Sequence, residues 1–103
     1  MPNDEIYALK DRFVEQLAPL KVYLFGSYAY GTPNADSDYD FYIVVDDSRT
    51  DWIGETQKAY KAIRRSRTKP VDILVGTSSS FEERKNQPTI EREVYQKGML
   101  LYG

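Results

Sequence analysis

The chain has 103 residues and a net charge of -2, with 41% hydrophobic and 29% charged residues and neither cysteine nor histidine. A chain of that length holds one core, so residues 1–103 are expected to form a single packed domain, and the composition is not that of a disordered protein. Lack of Cys and His excludes disulfides, thiolate catalysis, zinc-thiolate sites, serine-histidine triads and imidazole ligation, which leaves carboxylates, Lys, Tyr, Ser and metal ions. The weak negative charge argues against bulk nucleic-acid binding, so any polyanion contact has to be local. The N-terminus has no basic segment followed by an apolar run, and no apolar stretch approaches the length of a membrane span, so a cytoplasmic protein is expected.

Asn3-Asp4-Glu5 offers a cap and first-turn acids, and Ile6, Leu9, Phe13 and Leu17 recur at helical spacing up to Pro19. This predicts a helix over residues 4–18. Lys21 to Phe25 is short, apolar and aromatic and stops at Gly26-Ser27, as a buried strand feeding a phosphate-sized turn would. Gly31 to Ser37 is dense in turn formers and predicts an ordered loop. From Asp38 to Val45 the residues alternate: Tyr39, Phe41, Ile43 and Val45 share one parity, and Asp38, Asp40 and Tyr42 the other. One face of this strand is expected to pack and the other to present acids.

Ser48 to Asp51 caps a second long helix over residues 51–66, with Ile53, Thr56, Tyr60 and Ile63 as its expected stripe and Gly54 weakening its start. Val71 to Val75 predicts a strand with Val71, Ile73 and Val75 inward and Asp72 on the other face. Ser79 to Glu82 and Ser80 to Glu83 have capping-box spacing, which predicts a short helix to Asn86. Ile90 and Val94 before Gly98 suggest another, and Met99 to Tyr102 a terminal edge strand. The fold class is therefore α/β, a small mixed sheet with helices packed against it.

Three predicted strands each end in or carry polar groups of one chemistry: Gly26-Ser27, then Asp38 and Asp40, then Asp72. Carboxylates at i and i+2 of a strand share a face, and divalent cations make such clustered acids tolerable while stabilising the oxygens of a displacement at phosphorus. Gly26 lets backbone approach phosphate, and Ser27 donates to its oxygens or caps a helix; position alone does not separate those roles.

Gly26-Ser27-Tyr28-Ala29-Tyr30-Gly31 followed by Ser37-Asp38-Tyr39-Asp40 resembles the signature of the DNA polymerase β-type nucleotidyltransferase superfamily, Gly-Ser, a spacer and Asp-x-Asp, and Asp72 is similar in place to its third acid. The closest likeness is to the minimal nucleotidyltransferases, including the antitoxins of HEPN/MNT toxin–antitoxin pairs. The resemblance implies that Asp38 and Asp40 bind two Mg²⁺ ions and that Asp72 binds the catalytic ion and helps activate the acceptor hydroxyl. It implies that Gly26 and Ser27 hold the β- and γ-phosphates of ATP or another nucleoside triphosphate. It further implies a small all-helical HEPN-type partner that receives AMP on a hydroxyl. Many relatives carry a basic residue where this chain has Tyr30.

Two other functions fit the same residues. One is a partner-neutralising antitoxin that works by contact alone; the other is a nucleotidyltransferase acting on a small molecule such as an aminoglycoside, in which a homo-oligomer could build the acceptor pocket. Lys58, Lys61, Arg64, Arg65, Arg67 and Lys69 form a basic run that complements the dipole of the second long helix as a solvated face, or meets triphosphate or an acidic partner. Tyr28, Tyr30, Tyr39 and Tyr42 crowd the motif; Tyr39 has core parity, and surface packing suits most of the others.

Overall fold

A computed structural model describes residues 2–34 and 36–103. Its elements, in chain order, are α1 (Asp4–Leu17), β1 (Lys21–Phe25), α2 (Ser27–Tyr30), β2 (Tyr39–Val45), α3 (Trp52–Ile63), β3 (Val71–Thr77), α4 (Ser78–Arg84), α5 (Ile90–Lys97) and β4 (Met99–Tyr102). The strands form one sheet in the order β3-β2-β1-β4. β1 is antiparallel to β2 and β4, and β2 is parallel to β3, its crossover supplied by α3. This is the expected mixed α/β architecture, with the expected edge strand at the C-terminus.

One face of the sheet carries the larger core. Ile6, Leu9, Phe13 and Leu17 of α1 and Ala59 and Ile63 of α3 close over Val22 and Leu24 of β1, Phe41, Ile43 and Val45 of β2, and Ile73 of β3. Asn3 caps α1 by accepting from the Ile6 N–H at 2.9 Å, and the helix stops at Ala18, whose left-handed φ of 45° ends it one residue before Pro19.

The opposite face is not left open, contrary to the expectation for the acid-bearing parity. Tyr23 and Phe25 of β1 and Tyr42 and Val44 of β2 bury against Phe81 of α4 and Val94 of α5 in a second, smaller core. Tyr42 buries a hydroxyl there, and the cost is met by donation to Glu91 Oε2 at 2.8 Å; Arg84 donates to the other oxygen at 3.0 Å. Burial pushes the Glu91 carboxyl up, but these two hydrogen bonds, together with a backbone hydrogen bond and the charge of Arg84, outweigh it and hold the group below its usual range. Only the end of this face beyond Phe25 carries the acids.

Several boundaries differ from the sequence expectation. α3 begins at Trp52 with Asp51 as its cap, accepting from the Gly54 N–H at 3.1 Å, and ends at Ile63 rather than residue 66. Its buried stripe is Glu55, Ala59 and Ile63, whereas Ile53 and Tyr60 are exposed. The helix is turned so that Arg49 reaches Glu55 at 3.1 Å and also donates to the Leu17 carbonyl, which ties the α3 entrance to the end of α1. β3 runs on to Thr77, and Thr77, not Ser79 or Ser80, caps α4 by accepting from the Ser80 N–H. The loop expected over Gly31–Ser37 includes Ala35, which lies outside the described residues. Its described part turns on Asn34, whose carbonyl accepts from Ser37 and whose side chain accepts from the Asp36 N–H at 2.8 Å.

Gly76 lies so close to Tyr42 that a Cβ there would stand 2.3 Å from the tyrosine hydroxyl. Gly76→Ala should destabilise the protein by about 1–3 kcal/mol in denaturant titrations, and its cost in a Tyr42→Phe background should be smaller, because the clashing oxygen is gone. Equal costs in both backgrounds would rule this packing out.

Candidate active site

Strand register brings the sequence-selected residues together. Phe25 pairs with Asp40 across the antiparallel β1–β2 ladder, and Asp40 pairs with Asp72 across the parallel β2–β3 ladder. Directly opposed residues on neighbouring strands share a face, so Gly26 at the exit of β1, Asp40 and Asp72 meet at one end of the sheet. Asp38 sits two residues before Asp40, just ahead of β2, and is half-buried; Asp72 is exposed. Burial, the charges of Asp72 and Asp38, and a hydrogen bond with Asp72 push the Asp40 carboxyl up to about 6. All three influences act in one direction: the acids converge, and their own charges disfavour the fully ionised cluster. Among the described residues, no group of three or more such side chains is arranged to hold a metal ion unaided.

Gly26 takes φ 74°, in the region that favours glycine, and a Cβ there would lie 2.1 Å from Asp40 Oδ2. The turn is thus pressed against the central acid by backbone, which no other residue permits. Gly26, not Ser27, is the N-cap of α2, and it makes no side-chain cap bond; the capping role considered for Ser27 is not adopted. The Gly26 carbonyl accepts from the Ala29 and Tyr30 N–H groups at 3.0 Å, closing the short turn over the acids.

Lys69 was grouped by sequence with the basic run, but it has a different place. Its Nζ donates to the Tyr28 hydroxyl at 2.6 Å and lies 4.9 Å and 5.4 Å from the ring centroids of Tyr28 and Tyr39. The two rings meet edge to face at 4.8 Å. One cation thereby joins the residue after Ser27 to the residue between Asp38 and Asp40, three positions before Asp72. Tyr39, with the core parity expected of it, donates to Glu5 Oε1 at 2.6 Å, and Glu5 accepts from the Thr68 N–H at 2.6 Å. Burial and its bond to Glu5 push the Tyr39 hydroxyl up to about 12. Nothing in the spacing of Lys69 separates it from its basic neighbours; only the Pro70 that follows it hints at a fixed entry into β3.

Tyr30 lies on the other side of the turn. Burial pushes its hydroxyl up; a hydrogen bond from the Gly26 backbone opposes this, and the carboxylate of Glu93 on α5 and the charge of Asp40 reinforce it. An acid from α5 therefore stands beside Tyr30, a neighbour that sequence reasoning did not find.

The shift at Asp40 has a signed consequence. The folded carboxyl keeps its proton to about pH 6, against 3.8 for the unperturbed group, so folding takes up a proton between those values and stability falls as pH rises through them. Without divalent cations, Asp40→Asn should therefore be more stable than the parent at pH 8, by an amount on the order of 1 kcal/mol once solvent screening is allowed for, with the difference closing below pH 4. Thermal melts across that range check this, and a parent that gains stability toward pH 8 would contradict it. Gly26→Ala should cost about 1–3 kcal/mol and displace the Asp40 carboxylate, removing the pH dependence as well.

The chain matches the family model described as "Nucleotidyltransferase domain" over residues 6–99. A search of curated proteins finds no match. Among solved structures, the chain is similar to a toxin–antitoxin MntA-HpeT mutant with two aspartate-to-glutamate changes (21% identity, 98% of this chain and 74% of that one, TM-score 0.62). It is also similar to a nucleotidyltransferase from Sulfolobus solfataricus (20% identity, 93% and 75%, TM-score 0.60). A third similar structure is a toxin–antitoxin with AMP-PNP (21% identity, 98% and 74%, TM-score 0.54). With Gly26 packed on Asp40, Asp40 in register with Asp72 and a family match across nearly the whole sequence, the chain belongs to the nucleotidyltransferase-domain family.

Proposed function

We propose that this protein is a Mg²⁺-dependent nucleotidyltransferase that moves a nucleoside monophosphate, AMP from ATP foremost, to a hydroxyl of a partner protein, and that the partner is a small all-helical HEPN-type toxin which it restrains as an antitoxin. The observation that carries this is the in-register Asp40–Asp72 pair, joined by the charge of Asp38 and covered by the Gly26 backbone. Two similar folds belong to toxin–antitoxin structures, one of them with AMP-PNP, an ATP analogue.

The donor set fits Mg²⁺. Carboxylate oxygens are its preferred ligands, and the charges acting on Asp40 are those of other acids, which a divalent ion would relieve. Mg²⁺ is ordinarily held by one or two carboxylates with phosphate oxygens and water, so a site incomplete without triphosphate is in keeping with this ion. Asp38, Asp40 and Asp72 would hold two such ions, whose chemistry is to neutralise the acids and the triphosphate.

The chain's own groups do the rest. Gly26 admits the β- and γ-phosphates to the backbone of the turn, and Ser27 donates to their oxygens. Asp72, the exposed acid on the edge strand, accepts the proton of the acceptor hydroxyl as its oxygen bonds to the α-phosphorus. The bond from the α-phosphorus to the bridging oxygen breaks, and pyrophosphate leaves on the Gly26 side. Lys69 keeps the turn and β2 at fixed separation throughout.

Incubation of the protein with labelled ATP, Mg²⁺ and the co-expressed partner should label the partner, and intact mass should show one added nucleoside monophosphate. Asp40→Ala and Asp38→Ala should each lower the rate by about two orders of magnitude or more. Persistent labelling in these variants would sink the mechanism. Neutralisation of the toxin by an unlabelling Asp38→Ala/Asp40→Ala variant would favour the contact-only antitoxin, a reading to which the Tyr30–Glu93 pair beside the phosphate turn lends weight.

A further inference from the structure

The surface formed by α1, the C-terminal half of α3 and the segment that leads into β3 is strongly basic in a chain whose net charge is -2. Three adjoining clefts of about 260, 470 and 340 Å³ run along it and share Lys61. Lys58 is paired with Glu55 at 3.1 Å, and Arg12 with Glu15 at 3.8 Å. Lys61, Arg64, Arg65 and Arg67 pair with no acidic side chain among the described residues. Four like charges gathered within seven residues repel one another. Lys61 complements the dipole at the end of α3 and Arg67 donates to the Lys69 carbonyl at 3.3 Å. Arg64 and Arg65 make no side-chain hydrogen bond among the described residues, and everything after Ile63 is exposed up to Lys69.

We propose that this ridge docks an acidic face of the protein that supplies the acceptor hydroxyl, an inference that rests on the protein-acceptor function above. Position supports it. The ridge ends at β3, where Arg67 and then Lys69 precede Asp72, and Tyr60, which lines the largest cleft, accepts from the Ile73 N–H at 3.0 Å. A partner seated along the ridge is therefore held next to the strand that carries the proton-accepting acid. The clefts are shallow and continuous, the form of a protein contact rather than of a pocket for a small anion.

An extended nucleic acid fits less well, for two reasons. The one aromatic side chain in the clefts, Tyr60, is engaged at the β3 edge, so the ridge offers no platform for stacked bases. The segment also leads into Asp72 at the start of β3, whose charge, with those of Asp38 and Asp40 on the sheet face opposite α3, repels a long polyanion but not a compact acidic patch that stops short of them. Arginine, three of the four unpaired cations, forms bidentate bonds with carboxylates, which adds geometric selectivity to attraction.

Two probes of equal net charge test this by fluorescence anisotropy with the whole chain: a labelled glutamate-rich helical peptide and a labelled oligouridylate. The peptide should bind more tightly, its affinity should fall with added salt, and Lys61→Glu/Arg65→Glu should weaken it by about tenfold or more. The neutral pair Lys61→Gln/Arg65→Gln should weaken it by less, and ATP·Mg²⁺ binding, read as a thermal shift, should be unchanged in both variants. Tighter binding of the oligonucleotide would overturn the proposal in favour of a nucleic-acid site, and loss of ATP binding would reassign the ridge to the triphosphate. Peptide binding that is absent, or indifferent to the variants, would end it. Failure of labelling in the transfer assay leaves these affinities untouched, so the catalytic reading and the docking face fail separately.

Discussion

The site depends on the contact between the Gly26 backbone and the Asp40 carboxylate, set in place by strand register. β1 ends at Phe25, and Phe25 is opposite Asp40, so the turn that follows has no room for a side chain. The positive φ of Gly26 then directs the chain into α2 and over the end of the sheet. A register slip of one residue in β2 would send Asp40 into the larger core and Phe41 to the site. The alternating apolar residues Phe41, Ile43 and Val45, buried among α1 and α3, make that slip prohibitive. Core packing on one face is thus what aims the acids on the other.

The acid face needs covering except where the acids are, and the second core provides it. α4 and α5 close over Tyr23, Tyr42 and Phe81, with Tyr42 and Phe81 edge to face at 5.2 Å, and leave the Asp40–Asp72 end free. Tyr42 is the boundary residue, two positions from Asp40 on the same face, and it buries its hydroxyl only because Glu91 and Arg84 satisfy one another and it. α5 also brings Glu93 beside Tyr30. The helices that complete the fold therefore also add charge at the rim of the site.

Much of this was legible in the sequence, and for identifiable reasons. Period-two and helical patterns located α1, β2 and β3 because each has an apolar face of plain periodicity, and β1 was located as a short apolar run, buried on both faces, that stops at Gly26. The acids Asp38, Asp40 and Asp72 were singled out because parity set Asp40 and Asp72 apart from their apolar neighbours, and strand register does set Asp40 beside Asp72. The stripe of α3 was misplaced because Glu55 is buried: its carboxylate is held by Arg49 and Lys58, a contact set by the preceding loop, which no hydrophobicity pattern contains. The second core was missed because Tyr23, Tyr42 and Phe81 are amphipathic or isolated in sequence. Lys69 was lost among basic neighbours because its role arises from Tyr28 and Tyr39, forty-one and thirty positions away.

The placement of charge links these observations. Among the described residues, three acids gather at one end of the sheet with no cation acting on Asp40, and four cations at the end of α3, on the sheet's other face, pair with no acid. A fold selected for stability alone would pair the two sets, since both repulsions oppose folding. Lys69, the cation nearest the acids in sequence, is turned instead toward Tyr28 and Tyr39, so the basic segment is anchored beside the acids without neutralising them. On the function proposed above, each set would be balanced from outside: the acids by divalent cations carrying a triphosphate, the ridge by carboxylates of a partner. The two would approach β3 from opposite faces of the sheet, and at its start Asp72 is exposed.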